Sequence, residues 1–444
     1  MVSRRLPAPN QINYALHLIN NQISPMVNLD YEAQLAKKQL IAKSVLSVVG
    51  KKISKLNRDI KIHPGGLPCL LEEIKRSPVI SGYRNKDEFS IWPGSDGQTP
   101  IVGFLSSSLS EKTTYCIEPD LTVTTKEIHK MAAKKFQQYI QSESSLGICT
   151  HFDKPNGNWR RFIVRSNQKD DLMAICVLHP KVLTPNELNE EKLKLSDFFS
   201  RNSEQLSLKS LYFQSCPAQR CTNASAPFQL LLGDKTINET ILGHDFDISP
   251  DSFFQVNTLG TEVLYQSIFD KLNIDQNTVI IDLNCEIGTA IIPIASKVKK
   301  VFGIDPSIDS IETCYRNAHK NGVSNCQFFA GSILDILPDL FKKLSMENNI
   351  IIITKPKRGG LTNSVLSLLR EFDAIKQIIY LSSKPDSMNA ISNFIHLCKS
   401  FRPGDGILGG HFNPITAIPV DLFPQTNHQE LIVVFERKEI VLFQ

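Results

Sequence analysis

The chain has 444 residues, enough for roughly two to four domains, and is 41% hydrophobic and 21% charged, as an ordinary folded protein is. No apolar run reaches the ~18 residues of a membrane helix, and no low-complexity tract points to a largely disordered chain. Net charge is only +4, but it is unevenly placed.

The first 28 residues form an N-terminal extension with Arg4 and Arg5 and no acid before Asp30. Such a start is typical of mitochondrial presequences, although Pro7 and Pro9 interrupt an amphipathic helix there. The expected address is mitochondrial, with the cytoplasm as the alternative. Residues 29–77 are a basic helical segment. Positions 29–56 read as a helix with Tyr31, Leu35, Leu40, Val45, Leu46 and Val49 on one face. Between 31 and 61 stand Lys37, Lys38, Lys43, Lys51, Lys52, Lys55, Arg58 and Lys61 against Glu32 and Asp59. That concentration suits a polyanion such as nucleic acid; the alternative is a solvated helix face.

Residues 78–240 read as an α+β domain. Strand character appears at 88–92, 101–105, 161–165, 173–178 and 210–214, with helices at 124–142 and 185–206. Thr184, Pro185 and Glu187 give the second helix a start signal. Ten dispersed cysteines form no C-x-x-C pattern. The closest pair, Cys216 and Cys221, has no third ligand nearby, which argues against zinc or an iron–sulfur cluster. Buried thiols in a reducing compartment are expected.

From 241 to 444 the texture is that of a doubly wound α/β domain. A helix at 260–272 leads to a strand at 278–283. Then come a helix at 288–297, a strand at 300–304, a helix at 307–321 and a strand at 326–330. A helix at 335–344, a strand at 349–353, a helix at 361–370, a strand at 376–382 and a helix at 387–398 follow. Two closing strands, 416–420 and 431–437, can pair antiparallel at the edge. The turn Asp282-Leu283-Asn284-Cys285-Glu286-Ile287-Gly288-Thr289, with Asp305 ending the next strand, is a nucleotide-cofactor arrangement. Turn acids at strand ends are the plain alternative for Asp282 and Asp305.

Several segments then occur in a telling order. They are Phe246-Asp247-Ile248-Ser249-Pro250-Asp251-Ser252-Phe253-Phe254-Gln255-Val256-Asn257-Thr258, Leu264-Tyr265, Gly303-Ile304-Asp305, Arg358-Gly359-Gly360-Leu361 and Phe423-Pro424-Gln425-Thr426-Asn427-His428-Gln429-Glu430. With Gly82-Tyr83-Arg84-Asn85-Lys86 upstream, they resemble the RNA uridine-5 methyltransferases over roughly residues 28–437. The resemblance is nearest to the metazoan mitochondrial tRNA branch. It implies a methyltransferase domain at 241–444, an RNA-contacting central domain, S-adenosyl-L-methionine as cofactor, and tRNA or rRNA as partner. No metal or membrane is implied, and a monomer is expected. The implied cofactor positions are Gln255, Asp282, Glu286, Gly288, Asp305 and Lys355. The implied substrate contacts are Gln255, Arg84, Lys86, Arg358 and His428.

In that family a Cys thiolate adds to uracil C6, C5 takes the methyl group, and a carboxylate removes the C5 proton. The base maps to Glu430. The nucleophile position, in Ser382-Ser383-Lys384-Pro385, holds Ser383. The family's Asp-Pro-Pro-Arg is Lys355-Pro356-Lys357-Arg358, and its first loop glycine is Glu286. These three departures imply an impaired, RNA-binding family member. The alternatives are a working 5-methyluridine methyltransferase and a structural protein that binds neither RNA nor cofactor. Cys285 is expected as a core thiol.

Overall fold

The computed structural model describes residues 22–108, 113–151, 155–181, 183–357, 359–400 and 408–437. Arg4, Arg5 and Arg358, expected as part of a targeting segment and as an RNA contact, lie outside them.

Helix α1 (Tyr31–Leu56) starts where the Asp30 carboxylate accepts the Ala33 N–H at 2.7 Å. It buries Leu35, Ala42, Val45, Leu46, Val49 and Ile53. Leu40, expected on that face, is 65% exposed, because the buried stripe runs through Lys38 and Ala42 instead. The short strand β1 (Leu70–Leu71) follows.

The central domain comprises β2 (Lys86–Pro93), β3 (Pro100–Ser108), β4 (Thr113–Ile117), α2 (Glu127–Ser142), β5 (Trp159–Ser166), β6 (Leu172–Leu178), α3 (Pro185–Arg201), β7 (Leu208–Ser215) and β8 (Gln229–Gly233). Its sheet has the order β4-β3-β2-β5-β6-β7-β8. Thr184 and Glu187 cap α3 reciprocally, as expected. That helix ends at Arg201, earlier than 206. Strand β6 is buried at every residue, and its alternate side chains enter two cores. Ala174, Cys176 and Leu178 share a core with Phe162 of β5 and with Phe136 and Phe199 of the α2–α3 layer. Met173, Ile175 and Val177 pack with Ile280, Ile292 and Ile432 of the C-terminal domain. The central sheet is therefore sandwiched, which fixes it against the domain that carries the candidate site.

A hairpin of β9 (Ile237–Ile241) and β10 (His244–Ile248) leads to α4 (Thr258–Phe269). Then follow β11 (Val279–Leu283), β12 (Lys300–Asp305), α5 (Ile308–Lys320), β13 (Cys326–Ala330), α6 (Ile333–Lys343), β14 (Ile350–Thr354), α7 (Asn363–Glu371), β15 (Ile375–Ser382), α8 (Met388–Cys398), β16 (Phe412–Val420) and β17 (Glu430–Arg437). The sheet order is β1-β16-β17-β15-β14-β11-β12-β13. Strands β11 to β15 run parallel, and β17 is antiparallel to β15 and β16. This is the doubly wound architecture expected. The basic segment does not stand apart from it. β1 pairs with β16, and the buried face of α1 shares a core with α8 and the strands of this sheet.

Two further expectations need correction. The helix expected at 288–297 is only a 3₁₀ turn at Ile292–Lys297, where Pro293 and a run of β-branched residues disfavour a regular helix. Cys216 and Cys221 are not thiols but a disulfide. The strands β1, β4, β8, β9 and β10 have no counterpart among those expected from the sequence.

Candidate active site

The chain winds β11, β12, β13 outward in one direction and then crosses back to β14 on the other side of β11. The crevice at the carboxyl ends of β11 and β14 is thus a topological switch point, where ligands of such sheets bind. Register brings the candidate residues to this one edge. Leu283 pairs with Ile304 and with Thr354, so the loop after β11 begins beside Asp305 and Lys355. Ser382 pairs with Leu431, which sets Ser383 across from Glu430.

The loop after β11 keeps a glycine-like backbone. Asn284, Glu286 and Gly288 all have positive φ, at 80°, 54° and 87°. At Glu286 that conformation costs a side-chain-bearing residue ~1–2 kcal/mol. The surroundings enforce it. Asn284 and Cys285 N–H donate to Ile304 O at 2.8 and 3.0 Å, and Asn317 Nδ2 donates to Ile287 O at 3.0 Å. The Tyr265 hydroxyl meets Thr289 Oγ1 at 2.8 Å. A Cβ on Gly303 would come 2.8 Å from Cys285 Sγ, so glycine there lets the loop lie against β12. Cys285 is a core thiol as expected. Cys314, 3.9 Å away, and burial push its ionisation well up.

Four carboxyl groups gather around this edge. Asp305 accepts from the N–H of Ser307 at 2.9 Å and of Glu286 at 3.3 Å. Burial still raises it above the usual carboxylate range. Asp282 is pushed well up by burial and by the charges of Glu286 and Asp305. Burial raises Glu286 to about 7 and Glu430 above its ordinary value, and Lys355 opposes both shifts. Lys355 is the counter-charge shared by Asp282, Glu286 and Glu430, Lys357 plays that part for Asp305 and Glu286, and Lys355 Nζ also lies 4.7 Å above the Phe253 ring. Glu286 and Lys355, two departures that look independent in the sequence, are therefore electrostatic neighbours of opposite sign. Glu430 Oε2, Gln255 Nε2 and Thr354 Oγ1 are buried and have no hydrogen-bond partner among the described residues.

The raised Glu286 makes a testable linkage. Between its ordinary value of 4.5 and about 7, the folded chain keeps a proton that the unfolded chain has released. Stability therefore falls as pH rises through that window. Glu286→Gln removes this dependence. Urea unfolding should show the variant gaining ~2 kcal/mol on the unaltered chain between pH 5 and pH 8. A constant difference across that range would show that Glu286 titrates normally.

Ser383 is exposed and lines a shallow pocket with Pro356, Lys357, Gly360, Ser382 and Lys384. An adjoining cavity of about 240 Å³, lined by Asn284, Ser332, Ile333, Pro356, Lys357 and Thr362, extends towards the loop after β11. No cysteine lines either cavity. Of the eight free cysteines seven are buried, and Cys326 is half-buried on β13.

The RNA candidates are placed differently. Arg84 Nε donates to Asp87 Oδ1 at 2.7 Å, and Asp87 also meets His129 Nδ1 at 2.8 Å. Arg84, with its side chain 32% exposed, is thus anchored to the buried Asp87–His129 pair at the domain seam. Lys86 Nζ lies 2.9 Å from Glu88. His428 is exposed on the turn before β17, its ring against Phe423. Lys38, counted with the exposed lysines of α1, is wholly buried and pairs with Asp421 at 2.5 Å. Lys37, Lys43, Lys51, Lys52, Lys55, Arg58 and Lys61 are exposed and make no ion pair among the described residues. Phe253 and Lys357 were missed as site residues. Phe253 stands in the quoted motif beside Gln255, but the sequence gives no sign that its ring meets Lys355.

Residues 274–413 match a family model described as "Methyltransferase domain". The chain is 36% identical to tRNA (uracil-5-)-methyltransferase homolog B of Danio rerio, covering 94% of this chain and 86% of that protein. It is 34% identical to the Homo sapiens homolog B, covering 94% and 83%. In fold it is similar to the Pyrococcus abyssi tRNA (uracil-54, C5)-methyltransferase in complex with S-adenosyl-L-homocysteine. There the TM-score is 0.63, at 19% identity, over 92% of this chain and 84% of that one. Similarity to homolog B at 34–36% over nearly the whole chain, on a sheet whose switch point carries the ordered motif residues, shows that the chain belongs to the tRNA (uracil-5-)-methyltransferase family.

Proposed function

We propose that this chain binds tRNA and S-adenosyl-L-methionine in the switch-point cleft but is impaired as a uridine-5 methyltransferase, because it lacks the thiol nucleophile. The observation that carries this reading is the register of β15 and β17. It sets a serine hydroxyl, not a thiol, across from Glu430. A serine hydroxyl is scarcely ionised near neutral pH and is a poor donor to uracil C6. Cys285 offers no substitute, since it is buried in the core with its ionisation pushed well up.

The residues present fit the cofactor. S-adenosyl-L-methionine is a net cation and supplies an electrophilic methyl group. The cleft offers it a cluster of carboxyl groups, with Lys355 and Lys357 as counter-charges, and Gln255 contributes a buried Nε2 without a partner among the described residues. Asp305, Asp282 and Gly288 would hold it, with Glu286 matched by Lys355. Glu430, desolvated and raised above its ordinary value, is suited to take a proton from C5. Because Glu286 and Lys355 offset one another, impairment rests on Ser383 alone. An active enzyme with an unusual nucleophile is the second reading, favoured by the free Glu430 oxygen.

The test is incubation of the full chain with unmodified tRNA and methyl-labelled S-adenosyl-L-methionine, followed by nucleoside analysis. The proposal expects bound tRNA without 5-methyluridine; efficient labelling would establish the second reading. Binding itself should depend on α1. Neutralising Lys37, Lys51 and Lys52 should weaken tRNA binding and flatten its salt dependence, because fewer phosphates are neutralised and fewer counterions released. An unchanged slope would mean that the helix is a solvated face.

A further inference from the structure

Four cations surround one carboxylate at the seam between the central sheet and the C-terminal domain. Lys86 and Glu88 lie on the same side of β2. On the adjacent antiparallel β5, Arg165 stands opposite Lys86, and Arg161 opposite Ser90. Lys86 Nζ is 2.9 Å from Glu88, and Arg161 Nη1 is 4.0 Å from it. The fourth cation, Arg220, is exposed, and its charge acts on both Glu88 and Arg161.

The loop carrying Arg220 is firmly held. The Cys216–Cys221 disulfide closes it. Arg160, itself buried, donates to the carbonyls of Cys216 at 2.8 Å, Ala218 at 2.5 Å and Gln219 at 2.9 Å. An arginine committed to three carbonyls of a surface loop holds the backbone next to Arg220.

Arg165 is 4% exposed and makes no ion pair among the described residues. It donates to Ser252 O, and its Nε has no partner among them. Burial pushes it down to about 10. The Nε of Arg161 is likewise without a partner. Desolvated guanidinium groups that share one carboxylate or lack one are costly, and an anion with several acceptor oxygens is their natural complement. The cluster also adjoins the candidate active site. Ser252, which Arg165 holds, precedes Phe253, and the Phe253 ring lies under Lys355.

We propose that Lys86, Arg161, Arg165 and Arg220 form a site for a backbone phosphodiester of the RNA strand entering the cleft, with Glu88 occupying the place of that anion in the free chain. This rests on the RNA binding proposed above. It makes Glu88 an internal competitor, so removing its charge should strengthen binding while removing the arginines weakens it.

The experiment measures binding of an unmodified tRNA transcript to the full chain by fluorescence anisotropy, at several salt concentrations. The variants are Arg220→Gln, Arg161→Gln with Arg220→Gln, Glu88→Gln, and Lys376→Gln as a distant exposed control. Arg220→Gln alters only an exposed side chain, so it reports even where the double variant folds poorly. The double variant should bind about ten-fold more weakly, with a salt slope shallower by ~0.7 for each phosphate no longer neutralised. Arg220→Gln should show part of that loss, Glu88→Gln should bind several-fold more tightly, and Lys376→Gln should match the unaltered chain. Normal tRNA binding by the unaltered chain, with affinity and slope unchanged in Arg220→Gln and Glu88→Gln, would overturn the phosphate site alone. No tRNA binding by the unaltered chain would overturn both this site and the RNA function on which it rests.

Discussion

On the proposal that Ser383 stands in the nucleophile's place, Ser383→Cys is expected to raise methyl transfer to tRNA by on the order of 10³-fold or more, because a thiolate is a far better donor to uracil C6 than a hydroxyl. The position is suited to the change. Ser383 is exposed at the mouth of the cleft, and its neighbour Ser382 pairs with Leu431, so a sulfur there would face the Glu430 end of β17. The substitution puts one heavier atom at a solvent-facing site, so folding should be unaffected. Labelled methyl incorporation, read as 5-methyluridine, measures the gain. If the variant stays silent while still binding tRNA and S-adenosyl-L-homocysteine, the charge pair of Glu286 and Lys355 has disabled the site independently. Adding Glu286→Gly and Lys355→Asp to Ser383→Cys would then be the informative combination.

Lys38→Met is expected to destabilise the protein by ~3–5 kcal/mol, because it strands a buried carboxylate. Lys38 and Asp421 are both fully buried, and Lys38 Nζ also donates to Phe423 O at 2.9 Å. Gln34, one turn earlier, donates to the Gln425 side chain at 2.9 Å, and Gln429 Nε2 donates to Lys38 O at 3.1 Å. Helix α1 thus grips the whole turn that leads into Glu430. Urea unfolding measures the loss. The double change Lys38→Met with Asp421→Leu should recover most of it, since no unpaired charge remains. Equal losses in the single and double variants would show that the destabilisation does not come from a stranded carboxylate.

Asp282 and Asp305 were legible because each stands at the carboxyl end of an apolar strand, whereas Ser383 and Glu430 were legible through the family resemblance. Their meeting at one sheet edge follows from the winding of the sheet. Lys38 was misjudged for the opposite reason. Helical periodicity marks positions, but the carboxylate that takes Lys38 inside is 383 residues away. Arg84 reads as a contact for RNA because its acid, Asp87, is three residues on and gives no sign of being buried with His129. Glu286 and Lys355 look like two separate losses, since nothing in their spacing shows that one offsets the other's charge. The disulfide of Cys216 and Cys221 was invisible because two cysteines at that separation specify neither bonded nor free thiols.

The most direct test of the missing nucleophile is a trapping experiment with tRNA containing 5-fluorouridine, in the presence of S-adenosyl-L-methionine. Once a nucleophile has added at C6 and C5 has taken the methyl group, C5 carries no proton for Glu430 to remove. The fluorine cannot leave as the proton would, so the covalent complex persists through denaturing electrophoresis. The unaltered chain is expected to give no such band, and Ser383→Cys is expected to give one. A covalent complex formed by the unaltered chain would contradict the account, because it would show that the cleft already holds a competent nucleophile.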